Sequence, residues 1–311
     1  VSHNIIKELA SAYGFSEDFV KSHSSSSYRY YAKASIPKHF GGVRTIYVPS
    51  SEMKIFQYYV LDHYLSQIPI SNYATAYHKG STVYKNAFRH RNNSYFFHID
   101  LHHFFDLITV GQVTKAFSQT DVFGDWTAEE LATLISFLTR KNAFPQGAVT
   151  SPCVSNIVFK EIDEKIAKET QRISNGVYTR YSDDITVSSN RPFPTDFLKS
   201  IQQLLNNEGF PINHRKTRTD STTSTVKITG VCLNDGSLSL SAKYRKELRN
   251  MIYRFLKSKP TQSKDIIKGK IAYMRMIDPD YVNSLQTKYS EVGSKDKFTD
   301  LFKKTNLNVD N

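Results

Sequence analysis

An α+β fold with a split βαβ core is what this 311-residue sequence predicts, and three observations predict it. Strand-like runs occur at 95–99, Val177–Tyr181 and 185–189, the last two separated by only a few polar residues. Between and after them, apolar residues recur at helical spacing: Leu131, Leu134, Ile135 and Leu138; Val154, Ile157, Val158 and Ile162; Phe197, Ile201, Leu204 and Leu205. The resulting order of strand, helix, strand hairpin, helix, strand is that of a split βαβ unit, which sets the first strand beside the hairpin.

The elements follow in chain order from local chemistry. To about residue 35 the chain reads as short helical segments: Gly14 ends one helix, and Ser16-Glu17-Asp18 opens the next with a cap and an acidic first turn. Residues 36–49 alternate around Gly41-Gly42 and end Arg44-Thr45-Ile46-Tyr47-Val48-Pro49, the pattern of a β-hairpin carrying an arginine. A helix is predicted over 51–66, with Ile55, Tyr58, Tyr59, Leu61 and Leu65 as its apolar residues. Thr127-Ala128-Glu129-Glu130 has capping-box spacing. Ser151-Pro152 offers an N-cap and a first-turn proline for the next helix. Glu208-Gly209-Phe210 closes the helix near 194–208, and a strand pair near 225–240 turns at Asn234-Asp235-Gly236. From 241 the pattern is helical: Leu248, Met251, Ile252 and Phe255 form one stripe, and Lys243, Lys246, Arg249 and Lys257 populate other faces.

Composition narrows the function classes. The chain carries 41 Lys and Arg against 29 Asp and Glu, a net charge of +12 that suits a polyanionic partner. The excess is uneven, since residues 241–311 alone hold 16 basic and 8 acidic side chains. Aromatics are abundant, 19 Tyr and 20 Phe, and several lie among basic residues where rings can stack on bases. Only Cys153 and Cys232 are present, which excludes a disulfide framework or a cysteine-rich zinc site and fits a reducing cytosol. No apolar run is long enough to span a bilayer and no signal peptide is recognisable, so a cytoplasmic protein without a membrane partner is expected.

The chemistry concentrates at Tyr181-Ser182-Asp183-Asp184. An Asp-Asp pair at a hairpin tip is, by itself, most simply a solvated turn. A third acid, Asp100, ends the strand at 95–99 that the split βαβ order places alongside. Three carboxylates on neighbouring strand ends repel one another, and hard divalent cations that also bridge to phosphates compensate them. Such a set can hold two metal ions for in-line phosphoryl transfer, the requirement of a nucleotide polymerase.

With these residues the chain resembles reverse transcriptases, specifically those of bacterial retrons, over about 38–240, with a looser helical match beyond. The segments occur in the family's order. Arg44 to Pro49 comes first, then Phe97-His98-Ile99-Asp100-Leu101-His102-His103-Phe104-Phe105 and Phe144-Pro145-Gln146-Gly147-Ala148-Val149-Thr150-Ser151-Pro152. Tyr181-Ser182-Asp183-Asp184 and Gly209-Phe210-Pro211-Ile212-Asn213-His214-Arg215-Lys216-Thr217 complete the series. Two shorter strings point to the retron type: Asn86-Ala87-Phe88-Arg89-His90 matches an Asn-Ala-x-x-His signature, and Ile228-Thr229-Gly230 resembles a Val-Thr-Gly triplet. Ser182 stands where the family usually has Ala.

The resemblance implies a right-hand polymerase: fingers at 1–97 with a return near 107–148, a palm at 98–240 built on the split βαβ core, and a basic helical RNA-binding thumb at 241–311. It implies two Mg2+ ions on Asp100, Asp183 and Asp184, with the Leu101 carbonyl assisting. Arg44 would grip the triphosphate of a dNTP. Phe105 would exclude a 2′-hydroxyl while Phe104 serves the core, because adjacent strand residues face opposite ways. Gln146 and Gly147 would lie along the nascent pair, and Lys216 would protonate the leaving pyrophosphate. Asn86, His90, Ile228, Thr229, Gly230, Lys243, Lys246 and Arg249 would serve RNA binding. The implied template is a structured non-coding RNA, copied from one of its own 2′-hydroxyls into branched RNA–DNA (msDNA). Host ribonuclease H would remove template, and a separate effector protein would join it in anti-phage defence. Other readings stay open on the residues: an intron-type or diversity-generating reverse transcriptase, an RNA-dependent RNA polymerase, or an RNA-binding scaffold without catalysis.

Overall fold

The computed structural model of the chain describes residues 3–37 and 41–303. The tip of the predicted first hairpin and the last residues of the basic C-terminal segment lie outside them. Helix α1 (Ile5–Tyr13) ends at Gly14 in the left-handed conformation, and the Ser16 hydroxyl caps α2 (Glu17–Ser25) by accepting from the Phe19 amide. Strands β1 (Tyr31–Pro37) and β2 (Val43–Pro49) pair antiparallel, from Tyr31 opposite Pro49 to Pro37 opposite Val43. The hairpin therefore starts five residues earlier than its alternation indicates. Helix α3 (Ser51–His63) follows, then α4 (Val83–Arg89).

The central sheet contains β3 (Tyr95–Asp100), β4 (Val177–Tyr181), β5 (Asp184–Ser189) and β6 (Arg218–Ser221) in the antiparallel order β4-β5-β3-β6. The first strand does lie against the hairpin, as the split βαβ order predicts. Strand β6 has no apolar residue, so periodicity gives no sign of it; it is a short edge strand, paired with β3 along one side only.

Helices α5 (Val110–Ser118), α6 (Ala128–Leu138), α7 (Ser151–Val158), α8 (Lys160–Thr170) and α9 (Thr195–Asn207) share one core with one face of this sheet. The capping box at Thr127 and Glu130 forms as predicted. The start of α7 differs. Ser151 lies inside the helix and its hydroxyl donates to the Pro145 carbonyl at 2.9 Å, while Thr150 holds the cap position without a side-chain bond. The apolar stripe beginning at Val154 spans two helices, α7 and α8, which meet at Phe159.

A second sheet region, β7 (Val226–Ile228), β8 (Val231–Asn234) and β9 (Ser237–Ser239), is a meander of two tight turns. Thr229-Gly230 and Asp235-Gly236 both have positive φ at each position, the requirement of a two-residue hairpin whose twist matches its strands. Helices α10 (Ala242–Leu256), α11 (Lys264–Ile277), α12 (Pro279–Tyr289) and α13 (Lys295–Phe302) follow.

Two hydrophobic cores result. One joins the N-terminal helices, α3 and α5–α9 with one face of the central sheet; the other joins β7–β8 with α10–α13. Strand β3 feeds both, because successive side chains point to opposite faces. Phe97 and Ile99 enter the first core and Phe96 the second.

Candidate active site

Strands β4 and β5 are joined by a two-residue turn, Ser182-Asp183, closed by the pair Tyr181 and Asp184. Ser182 has φ of 62°, a left-handed position that a tight hairpin demands and that a non-glycine residue resists. Register then places the third acid. Asp100, the last residue of β3, is the cross-strand partner of Asp184, and side chains so paired have Cβ atoms about 4.5–5.5 Å apart. The Leu101 amide donates to the Asp183 carbonyl at 3.1 Å, pinning the strand end to the turn. Asp100, Asp183, Asp184 and Leu101 thus meet at one end of the sheet's two central strands.

The electrostatics record the crowding. Desolvation by packed protein, then the charges of Asp183 and Asp100, push the Asp184 carboxyl up to about 6, although much of its surface still meets solvent. Asp100 is 9% exposed, and both its oxygens are engaged: Lys216 Nζ donates to Oδ2 at 2.9 Å and Asn213 Nδ2 to Oδ1 at 3.0 Å. Lys216 therefore lies on the acid cluster itself. No group of three or more His, Cys, Asp or Glu side chains among the described residues is arranged to hold a metal ion as it stands. The donor chemistry nevertheless fits hard divalent cations. It consists of carboxylate and backbone oxygens, one carboxyl destabilised by its neighbours, and a cationic side chain on another.

A buried polar frame supports the turn from behind. Arg180 and Asp163 are both fully buried and paired through two hydrogen bonds of 2.9 and 2.8 Å. Tyr178 donates its hydroxyl to Asp163 at 2.6 Å. The remaining arm of Arg180 donates to Asn156 Oδ1 and to the Ser182 carbonyl, each at 3.2 Å. A backbone carbonyl of the acid-bearing turn is thereby held by a fully buried guanidinium.

Beside the turn lies a cleft of about 230 Å³. It gathers Arg44, Phe105, Gln146 and Gly147 from three separate stretches of sequence, together with Tyr77 and Ser151. The Tyr47 amide donates to the Gln146 carbonyl at 2.8 Å, tying β2 to the loop. At Gly147 a Cβ would stand 2.6 Å from the Tyr47 carbonyl oxygen, and its φ is +111°, so only glycine fits. Phe104 is buried and Phe105 half-buried on the cleft, but the reason is not strand alternation: both lie in a short 3₁₀ helix, Phe104–Leu107.

Several residues expected to touch RNA are placed otherwise. His90 is wholly buried, with its two ring nitrogens on Ser188 Oγ at 2.7 Å and Thr179 Oγ1 at 2.8 Å. Burial first, then His98, pushes its pKa down to about 3. Asn86 and Ile228 are each 1% exposed. These three side chains belong to the framework, since enclosed groups offer nothing to a ligand. The two short signature strings meet there: Asn86 Nδ2 donates to Thr229 Oγ1 at 3.2 Å, and Thr75 Oγ1 donates to Asn86 Oδ1 at 2.8 Å. Gly230, Lys243 and Lys246 are exposed, Thr229 is half-buried, and Arg249 donates to the Tyr281 hydroxyl.

Sequence reading missed Tyr77, Thr75, Asn156, Asn213 and the Arg180–Asp163 pair. A signal existed only for Asp163, which falls on the buried face of α8 between Phe159 and Ile166 at helical spacing. A charge on such a face needs a partner.

The family model described as reverse transcriptase (RNA-dependent DNA polymerase) matches residues 36–233. The chain is 32% identical over 276 residues to the retron Ec73 reverse transcriptase of Escherichia coli, covering 83% of this chain and 86% of that protein. It is 29% identical over 309 residues to the retron Ec83 reverse transcriptase of Escherichia coli, covering 94% and 96%. With the retron Mx65 reverse transcriptase of Myxococcus xanthus it shares 27% identity over 300 residues, covering 90% and 70%. Among solved structures, telomerase from Candida albicans superposes with a TM-score of 0.52 at 12% identity, over 86% of this chain. The chain spans 60% of the telomerase chain, and the likeness is one of fold.

Proposed function

The chain belongs to the retron reverse transcriptases, RNA-directed DNA polymerases of right-hand fold, and from that membership we propose how its own residues carry the reaction. The family works with divalent metal ions; here we assign two Mg2+ ions to Asp100, Asp183, Asp184 and the Leu101 carbonyl, where they would neutralise the attacking and leaving oxygens. The observation that carries this assignment is the register of β3 against β5, which pairs Asp100 with Asp184 and supports a shared site.

Around that site each residue has a task. Arg44, on β2, offers a guanidinium fork that suits triphosphate oxygens. Phe105 walls the cleft and excludes a ribose 2′-hydroxyl by bulk. Gly147 lets the backbone approach the nascent base pair, and Gln146, fixed by Tyr47, borders it. Lys216, whose ammonium donates to Asp100, is the acid for the departing pyrophosphate in this reading. Arg180 keeps the turn rigid, so the acids do not reorganise at the moment of reaction.

We assign fingers to 1–97 with a return near 107–148, palm to 98–240 and thumb to 241–311. Lys243, Lys246 and Arg249 of the thumb and the Thr229-Gly230 turn hold RNA, chiefly through phosphate and shape, because A-form major grooves are hard to read. The template is a structured non-coding RNA primed from its own 2′-hydroxyl, giving branched msDNA in the cytoplasm. Host ribonuclease H and a defence effector are the further partners in this reading.

Two measurements test it. Asp183→Asn abolishes dNTP incorporation on the copurifying RNA; activity equal to the native chain removes Asp183 from the mechanism. Sequencing the copurifying nucleic acid yields DNA joined to an internal guanosine of a folded RNA; a linear DNA with a free 5′ end overturns the priming assignment.

A further inference from the structure

Among the described residues, Tyr77 is the one large aromatic lining the cleft besides Phe105, and its situation is unusual on four counts. It is 44% exposed, so the ring is not there to fill a core. Its backbone has φ of 64°, a conformation that bulky residues adopt only where the surroundings impose it. Its hydroxyl donates to Ser182 Oγ at 2.8 Å, across 105 residues of sequence, and Ser182 is 7% exposed. Its ring lies 6.4 Å from that of Phe105 at 55°, so the two form adjoining walls of one cleft.

The surroundings that impose this conformation are visible. The carbonyl of Ala76, directly before Tyr77, accepts from Asn156 Nδ2 at 2.8 Å. Asn156 Oδ1 accepts from Arg180, which also donates to the Ser182 carbonyl. One buried frame thus fixes both the segment presenting Tyr77 and the turn presenting Asp183, and the Tyr77–Ser182 bond closes the loop between them at the cleft surface. Alanine at position 182 would leave the hydroxyl of Tyr77 without this partner; serine supplies it.

We propose that Tyr77 is a specificity-determining residue of the polymerase, a second wall at the sugar of the incoming nucleotide, held against Phe105 by its hydrogen bond to Ser182. This rests on the reading of the cleft as the nucleotide site. Two aromatic walls that adjoin at a fixed angle define a corner, whereas Phe105 alone defines a single surface from which a ribose can back away. The bond to Ser182 fixes that corner relative to Asp183, so sugar discrimination and metal-site geometry are adjusted together.

The test measures kcat and KM for a dNTP and the matching rNTP on the native RNA–protein complex, with thermal unfolding as a folding check. Tyr77→Ala lowers the dNTP-to-rNTP ratio of kcat/KM by roughly tenfold or more, the scale of removing a close steric wall. Tyr77→Phe, which keeps the ring, retains the ratio within about threefold, the lower range for one neutral hydrogen bond. Ser182→Ala lowers dNTP kcat/KM by about as much as Tyr77→Phe, and the double variant by no more than the larger single effect. An unchanged ratio in Tyr77→Ala overturns the inference, and so do additive effects of Tyr77→Phe and Ser182→Ala. Phe105→Ala is run alongside to separate the two readings. A relaxed ratio in Phe105→Ala with an unchanged one in Tyr77→Ala sinks only the role of Tyr77. Unchanged ratios in both sink the nucleotide assignment of the cleft as well. Should Tyr77→Ala fail to fold, Tyr77→Leu gives the same comparison with the wall lowered rather than removed.

Discussion

At the scale of single residues, the acid-bearing turn depends on a side chain that never meets substrate. Arg180 lies in a fully buried pair with Asp163, and removing one member of such a pair strands the other charge away from water. Asp163→Leu is therefore expected to destabilise the chain by about 3–5 kcal/mol in urea unfolding. Combining it with Arg180→Met restores much of that, because two apolar side chains leave no uncompensated charge. Activity does not return with stability in the double variant, since the Ser182 carbonyl still lacks its donor. Gly147 makes a second test. A Cβ there would meet the Tyr47 carbonyl at 2.6 Å, so Gly147→Ala pushes β2 and its Arg44 off the cleft. A loss of roughly tenfold or more in kcat/KM for dNTP, with thermal stability lowered far less than in Asp163→Leu, is the expected outcome.

At the scale of elements, a strand serves as the hinge of the architecture. Strand β3 carries Phe96 into one core and Phe97 and Ile99 into the other, and delivers Asp100 at its end. Its neighbours are legible in proportion to their apolar content. Strands β4 and β5 announce themselves, whereas β6, made of Arg218-Thr219-Asp220-Ser221, pairs through backbone alone and leaves no pattern. The string ending at His90 shows the opposite limit: its residues are legible as a signature but not as a buried brace. That brace gives the sheet a pH dependence. His90 is held neutral, down to about 3, while an unfolded histidine takes a proton near 6.5. Its contribution to stability is thus complete above about 6.5 and declines by about 1.4 kcal/mol per pH unit below it. His98, pushed down to about 4 by burial and then Arg218, adds in the same sense. His90→Gln is expected to reduce the slope of unfolding free energy between about pH 6 and 4 by that amount per unit. An unaltered slope would mean that His90 is protonated in the folded sheet.

At the scale of the whole molecule, charge and packing divide the labour. The net charge of +12 is weighted towards the C-terminal helices, where Lys243 and Lys246 stand exposed. RNA affinity is expected to fall steeply with salt, as counterions released from phosphates make binding dependent on ionic strength. Lys243→Gln with Lys246→Gln lowers the slope of log affinity against log salt by about 1 for each phosphate no longer neutralised. A slope identical to that of the native chain would move the RNA surface elsewhere. Among the described residues no helix is long and apolar enough to cross a membrane, and both cysteines are unpaired.

The amino-acid sequence alone placed the first strand beside the hairpin and named the acids together with Arg44, Phe105, Gln146 and Gly147 of the cleft, because each is written in a short contiguous string with its own chemistry. It determined none of the partnerships: Asn213 and Lys216 on Asp100, Asn86 on Thr229, Arg180 beneath Ser182, and Tyr77 beside Phe105. These pairings join stretches remote in the chain, through polar side chains that follow no periodicity. A polar group becomes a brace or a ligand according to what faces it once water is gone, and only the folded packing decides that.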